Sequence, residues 1–231
     1  RWVGRVSLVC VTIVLACFVG GAIALVVAYP NLPDISSLAA DYRPKQPLRI
    51  FSEDGVPIAE YGDERRNLVP ITEIPQSLKN AVLAIEDARF FEHGGIDYVG
   101  VARAALSNLA GSRRQGASTI TMQVARNVYL TSEKTFTRKI YEALLTLKLE
   151  NSLSKNQILE IYMNQIFLGN RAYGFSAAAD VYFHKPLSQL SLAEAAMLAG
   201  LPQSPSNHNP IANFAKAKKR QEQVLERMVD V

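Results

Sequence analysis

From Val6 to Ala28 the chain carries no charged residue, a run of about 23 positions that is apolar almost throughout. An α-helix needs about 20 such residues to cross the hydrocarbon core of a bilayer. A single membrane span is therefore expected. Arg1 and Arg5 flank its N-terminal side, which places the N-terminus in the cytoplasm and everything after Tyr29 outside. A cleaved signal peptide is the competing reading, because Ala22-Ile23-Ala24 fits a cleavage pattern. The run is longer than a signal-peptide core of roughly 7–15 residues, which favours an uncleaved signal anchor. The only two cysteines, Cys10 and Cys17, lie inside this run on one helix face, so the exported part has no disulfide framework.

The remainder of the 231 residues is enough for one sizeable domain, and the net charge is +4. Residues 1–29 are read as the anchor with its basic cytoplasmic flank. Residues 30–69 contain Pro30, Pro33, Pro44 and Pro47 and read as a juxtamembrane linker. Within it, two extended runs around Glu53-Asp54-Gly55 suggest a small hairpin. Residues 70–231 are patterned for helices. One is expected from about Pro75 to Phe91, one after Asp97, one after Ser118 or Thr119, and one from Phe136 to about Glu150. Ser154 with Gln157 and Ser191 with Glu194 make two capping boxes. Asn213 to Val229 reads as a basic helix with a solvated face. The fold class is mostly α with a small β piece.

The chemistry concentrates first at Glu86-Asp87-Ala88-Arg89-Phe90-Phe91-Glu92-His93-Gly94-Gly95. Two carboxylates close the apolar run Ala81 to Ile85. A helix apolar on nearly every side is buried. Burial raises a carboxyl pKa, which suits acid or base work near neutral pH. An exposed Glu-Asp pair at a helix end is the plainer alternative.

A second cluster, Gly116 to Gln123, gathers hydroxyls and amides at a helix start, where unpaired N–H groups favour anions; ordinary N-capping explains it equally. A basic series follows, Arg126, Lys134, Arg138 and Lys139, whose types suit a diphosphate. Glu142 lies four residues after Arg138, as an ion-pair partner or as a second functional carboxylate. There is no His/Cys cluster with metal spacing, no Walker loop and no G-x-S-x-G. Ser152-Leu153-Ser154-Lys155 matches S-x-x-K formally, but Ser154 is already explained as a cap.

Together these clusters resemble the peptidoglycan glycosyltransferase family, the transglycosylase domain of class A penicillin-binding proteins and of monofunctional enzymes. Five motifs appear in order over roughly residues 70 to 210. E-D-x-x-F-x-x-H-x-G is Glu86 to Gly95, and G-[GA]-S-T-I-T-Q-Q is Gly116 to Gln123. R-K-x-x-E is Arg138 to Glu142. The fourth is Lys155 to Asn164 with its trailing glycines, and the fifth is Ala193 to Pro205. Met122 departs from the pattern, standing where the family has the first of two glutamines; Gln123 retains the second. The fifth motif and the basic helix after it are most like the N-terminal part of a class A penicillin-binding protein.

The resemblance implies a lysozyme-like, two-lobed helical fold and a membrane enzyme that polymerises lipid II into β-1,4 glycan strands with inversion, releasing undecaprenyl diphosphate. It implies Glu86 as general base and Glu142 as a second catalytic or positioning acid. Ser118, Thr119 and Gln123 would line the donor site, and Arg126, Lys134, Arg138 and Lys139 would hold the diphosphate. It places the segment Ala104 to Arg114 in a mobile small lobe near the bilayer. No cofactor is required on these residues; magnesium enters only by family analogy. The implied partners are lipid II, the growing glycan, the membrane through Val6–Ala28 and a transpeptidase domain after this chain, with no nucleic acid. The implied location is the bacterial inner membrane, single-pass, with the catalytic domain on the periplasmic face. A lysozyme-like hydrolase and a non-catalytic cell-wall scaffold are the alternatives; the diphosphate-type cations argue against the first, and Glu86 with those cations argues against the second.

Overall fold

A computed structural model describes residues 48–109, 118–130 and 135–231, and before them residues 11–12, 15–16, 19–21, 26, 30, 32–35, 44 and 47. Most of the run Val6–Ala28 therefore lies outside the described residues. Among the described residues no helix is long and apolar enough to cross a membrane.

The chain is mostly helical. Strands β1 (Leu48–Phe51) and β2 (Pro57–Tyr61) pair antiparallel as a hairpin, with Leu48 opposite Tyr61. Two residues, β3 (Arg65–Arg66), pair in parallel with β4 (Ala172–Tyr173). The helices are α1 (Gln76–Glu86), α2 (Tyr98–Leu109), α3 (Ile120–Tyr129), α4 (Phe136–Ser152), α5 (Lys155–Gln165), α6 (Phe175–Phe183), α7 (Leu192–Ala199) and α8 (Phe214–Asp230).

Local chemistry starts most of them. Thr119 accepts from the Met122 N–H and Thr135 from the Arg138 N–H, opening α3 and α4. Both expected capping boxes form, Ser154 with Gln157 on α5 and Ser191 with Glu194 on α7. Asp97 Oδ1 accepts from the Gly100 N–H at 2.9 Å at the start of α2.

Two groups of helices make the core. α1 packs on α7 and α8, while α3 packs on α4 and α5. Leu78 and Val82 from α1, Ile120 and Val124 from α3, and Tyr162 from α5 are buried in one continuous cluster. Fully burying a Leu or Val side chain stabilises by roughly 1.5–3 kcal/mol. Leu32 and Ile35 join that cluster, and Lys148 Nζ donates to the Pro33 carbonyl at 3.0 Å. Part of the proline-rich connection is thus seated in the core.

One boundary differs from expectation. The first helix ends at Glu86, not at Phe91, because Asp87 leaves helical geometry (φ −161°, ψ 74°). Its carboxylate binds partners outside the helix, and the next nine residues form turns and bends.

Candidate active site

The end of α1 points Glu86 into a cleft, and the turn that follows is fixed by its neighbour. Asp87 is buried. Its Oδ2 accepts from the Ile120 N–H at 3.0 Å, at the first residue of α3. The same carboxylate meets His93 Nε2 at 3.0 and 3.2 Å. A carboxylate at a helix N-terminus is favoured by the unpaired N–H groups there. Asp87 thereby ties the α1 end to the α3 start. Replacing Asp87 by alanine strands a buried N–H and a buried imidazole. It is expected to cost about 2–3 kcal/mol, read as a lower urea midpoint with unchanged slope; an unchanged midpoint would remove Asp87 from this role.

The turn is held at its far side as well. Thr119 Oγ1 donates to the Gly95 carbonyl at 2.5 Å. Gly95 has φ +89°, and a Cβ there would stand 2.7 Å from Thr146 Cγ2 and 2.8 Å from Glu150 Cγ. Gly95→Ala should therefore destabilise by about 2 kcal/mol, the middle of the range for backbone strain of this kind. Thermal melts check it.

Glu86 is half-buried. Gln123 Nε2, from the buried face of α3, donates to its Oε2 at 2.7 Å. This hydrogen bond bridges the two helix groups. Desolvation by the surrounding protein pushes the Glu86 pKa up. The Gln123 amide and the charges of Arg220 and Arg126 work against that rise, while Asp87 adds to it. An acid placed this way can take up a proton near neutral pH more readily than an exposed glutamate.

Ser118 and Thr119 line the same cleft as Glu86. So do three arginines: Arg103 from α2, and Arg220 and Arg227 from α8. Arg89 is there too, paired with Asp97. Burial opposes the Asp97 charge, yet the Gly100 N–H and Arg89 together hold its pKa below the ordinary value. Arg220 and Arg227 thus depart from the solvated face expected of this basic helix. A signal was present: Arg220 and Arg227 are two turns apart, on the side of the helix that carries buried Ala217, Gln221 and Val224. A cation inside a buried stripe has to face something other than bulk water. Arg103 has no comparable mark in the sequence.

The basic series expected from the sequence is divided in space. Arg126, half-buried on α3, acts on Glu86. Arg138 Nη1 and Lys139 Nζ instead hold the two oxygens of Glu142, at 2.9 and 2.6 Å. The Glu142 side chain is fully buried, Arg138 is mostly buried and Lys139 is 51% exposed. Lys134, Gly116 and Ala117 lie outside the described residues. Among the described residues no group of three or more His, Cys, Asp or Glu side chains is placed to hold a metal ion.

A model of the family described as transglycosylase matches residues 54–229. The chain belongs to the transglycosylase family. A putative transglycosylase of Cupriavidus necator is 58% identical over 163 residues, which is 71% of each chain. Penicillin-binding protein 1A of Neisseria gonorrhoeae is 57% identical over 210 residues, 90% of this chain, and its namesake in Neisseria lactamica is 56% identical over the same length. This transglycosylase chain spans 26% of the length of those penicillin-binding proteins. The crystal structure of penicillin-binding protein 1A from Haemophilus influenzae is 30% identical and covers 82% of this chain and 19% of that one, with a TM-score of 0.45.

Proposed function

We propose that this chain is a membrane-anchored peptidoglycan glycosyltransferase that polymerises lipid II into β-1,4 glycan strands with inversion. One arrangement carries the reading: a half-buried glutamate, Glu86, held by Gln123 in a cleft lined by Arg103, Arg220 and Arg227, in a chain of the transglycosylase family. The growing glycan, still linked to its lipid diphosphate, is the donor. The 4-hydroxyl oxygen of an incoming lipid II forms a bond to the donor's anomeric carbon. Glu86 takes the hydroxyl proton, and the bond to the lipid diphosphate breaks with both electrons leaving on that group. Fixed cations favour this departure because charge grows on the leaving group in the transition state. Arg126, Lys134, Arg138 and Lys139 serve the diphosphate in this reading, with Ser118, Thr119 and Gln123 on the donor side. Glu142 acts by holding Arg138 and Lys139. Magnesium is given no step.

The wider proposal keeps residues 1–29 as the anchor, 30–69 as the connection and 70–231 as a two-lobed, lysozyme-like catalytic domain at the outer face of the inner membrane. On α2, Tyr98 and Leu106 are 72% and 69% exposed, which suits a helix resting on lipid. The likeness to penicillin-binding protein 1A extends the proposal to a transpeptidase domain in the same protein.

The test is to offer the detergent-solubilised protein two substrates side by side, labelled lipid II and purified cell-wall glycan. Release of undecaprenyl diphosphate from the first, with the second left intact, is expected. Soluble fragments from the finished glycan and no polymer from lipid II would overturn the reading in favour of a hydrolase.

A further inference from the structure

Arg220 has a setting unlike that of its basic neighbours on α8. Lys216, Lys218 and Lys219 are exposed, whereas Arg220 is half-buried and its Nε is buried without a hydrogen-bond partner. One Nη donates to Gln223 Oε1 at 3.2 Å. Its stem lies on Gly200 at the end of α7, where a Cβ would stand 2.7 Å from Arg220 Cγ. Arg220 lines the cleft that holds Glu86. Its burial disfavours its own charge, and the Glu86 charge offsets that; the influence is mutual. Desolvated charges act on each other more strongly than exposed ones.

We propose that Arg220 is a positioning residue for this reaction: a countercharge fixed against Gly200 that keeps the Glu86 carboxylate ionised and ready to accept a proton. The inference rests on the reading of Glu86 as the base. Other charges bear on Glu86 from every side. Asp87 adjoins it, Arg126 faces it from α3, and buried Tyr162 lies nearby on α5, held well above its ordinary pKa by desolvation and, next, by the Glu86 charge. Arg103, Arg227 and the Arg89–Asp97 pair share the cleft. Arg220 and Arg126 both favour the ionised Glu86, and of the two Arg220 lines the same cleft as Glu86.

The experiment compares the parent protein with Arg220→Gln, Arg220→Lys, Glu86→Gln and, as a charge control, Lys219→Gln. Two readouts are taken: the pH profile of kcat/KM for lipid II polymerisation, and the titration of Glu86 followed by carbon NMR of labelled glutamate, assigned by its loss in Glu86→Gln. Arg220→Gln is expected to move both the acid limb and the Glu86 titration to higher pH, since removing a nearby cation disfavours the carboxylate. Arg220→Lys should return both most of the way, and Lys219→Gln should match the parent. An unmoved Glu86 titration in folded Arg220→Gln would overturn the proposal, and a raised KM with that unmoved titration would make Arg220 a substrate contact instead. Undiminished activity in Glu86→Gln would remove the base itself, a separate failure.

Discussion

Glu86→Gln is expected to lower glycan polymerisation by about 10²–10⁴-fold, the range that general acid–base catalysis supplies. The substitution keeps the shape of the side chain, and the new carbonyl can still accept the Gln123 amide that Glu86 Oε2 accepts at 2.7 Å. What it removes is the capacity to take the hydroxyl proton. The loss should come without unfolding, and stability should move the other way. The folded-state pKa of Glu86 is raised, chiefly by desolvation. In the window from the ordinary value of 4.5 up to the folded value, the folded state holds the proton more tightly than the unfolded state. Stability therefore falls as pH rises through that window, and above it the ionised carboxylate costs stability in full. At neutral pH the glutamine variant should melt no lower than the parent. Its advantage should shrink as pH falls toward the unfolded value. Melting curves at several pH values check this, and an inactive variant that also melts well below the parent would point to structural damage instead.

Glu142→Leu is expected to destabilise the fold by about 3 kcal/mol. Removing one partner from a buried ion pair costs about 3–5 kcal/mol, because the remaining charge loses its compensation. The lower end applies here. Lys139 keeps half its surface in water and can turn outward, whereas Arg138 is 14% exposed and has less freedom. Glu142→Gln should cost less, since an amide oxygen can keep one of the two bonds. Urea titrations of both variants read the difference. A leucine variant as stable as the parent would show that the Arg138–Glu142–Lys139 cluster adds nothing to the fold.

What the sequence made legible was what neighbours in the chain decide. Thr119, Ser154, Ser191 and Asn213 each cap a helix through the N–H three positions on, so each helix start is readable from its local pattern. The turn at Asp87 was not, because its partners are His93 and the Ile120 N–H, the latter supplied by another helix. The two-residue strands β3 and β4 meet only through long-range pairing. Helix α6 begins at Gly174 with no side-chain cap, so nothing local marks its start. The candidate site divides the same way. Glu86 and Gln123 lie in two separate motifs, and the structure brings them into contact. The basic series lies close together in the sequence, yet Arg138 and Lys139 turn to Glu142 while Arg126 faces Glu86. The cleft also takes Arg220 and Arg227 from α8, far away in the sequence, and the packing of α1 against α8 brings that helix to the side of Glu86.

The most direct test is polymerisation of labelled lipid II by the detergent-solubilised protein beside its Glu86→Gln variant, with both shown to be folded. Long glycan from the parent, digestible by a muramidase specific for β-1,4 linkages, and almost none from the variant is the predicted result. Equal polymer from both proteins would contradict Glu86 as the base, and unchanged lipid II with the folded parent would contradict the glycosyltransferase itself.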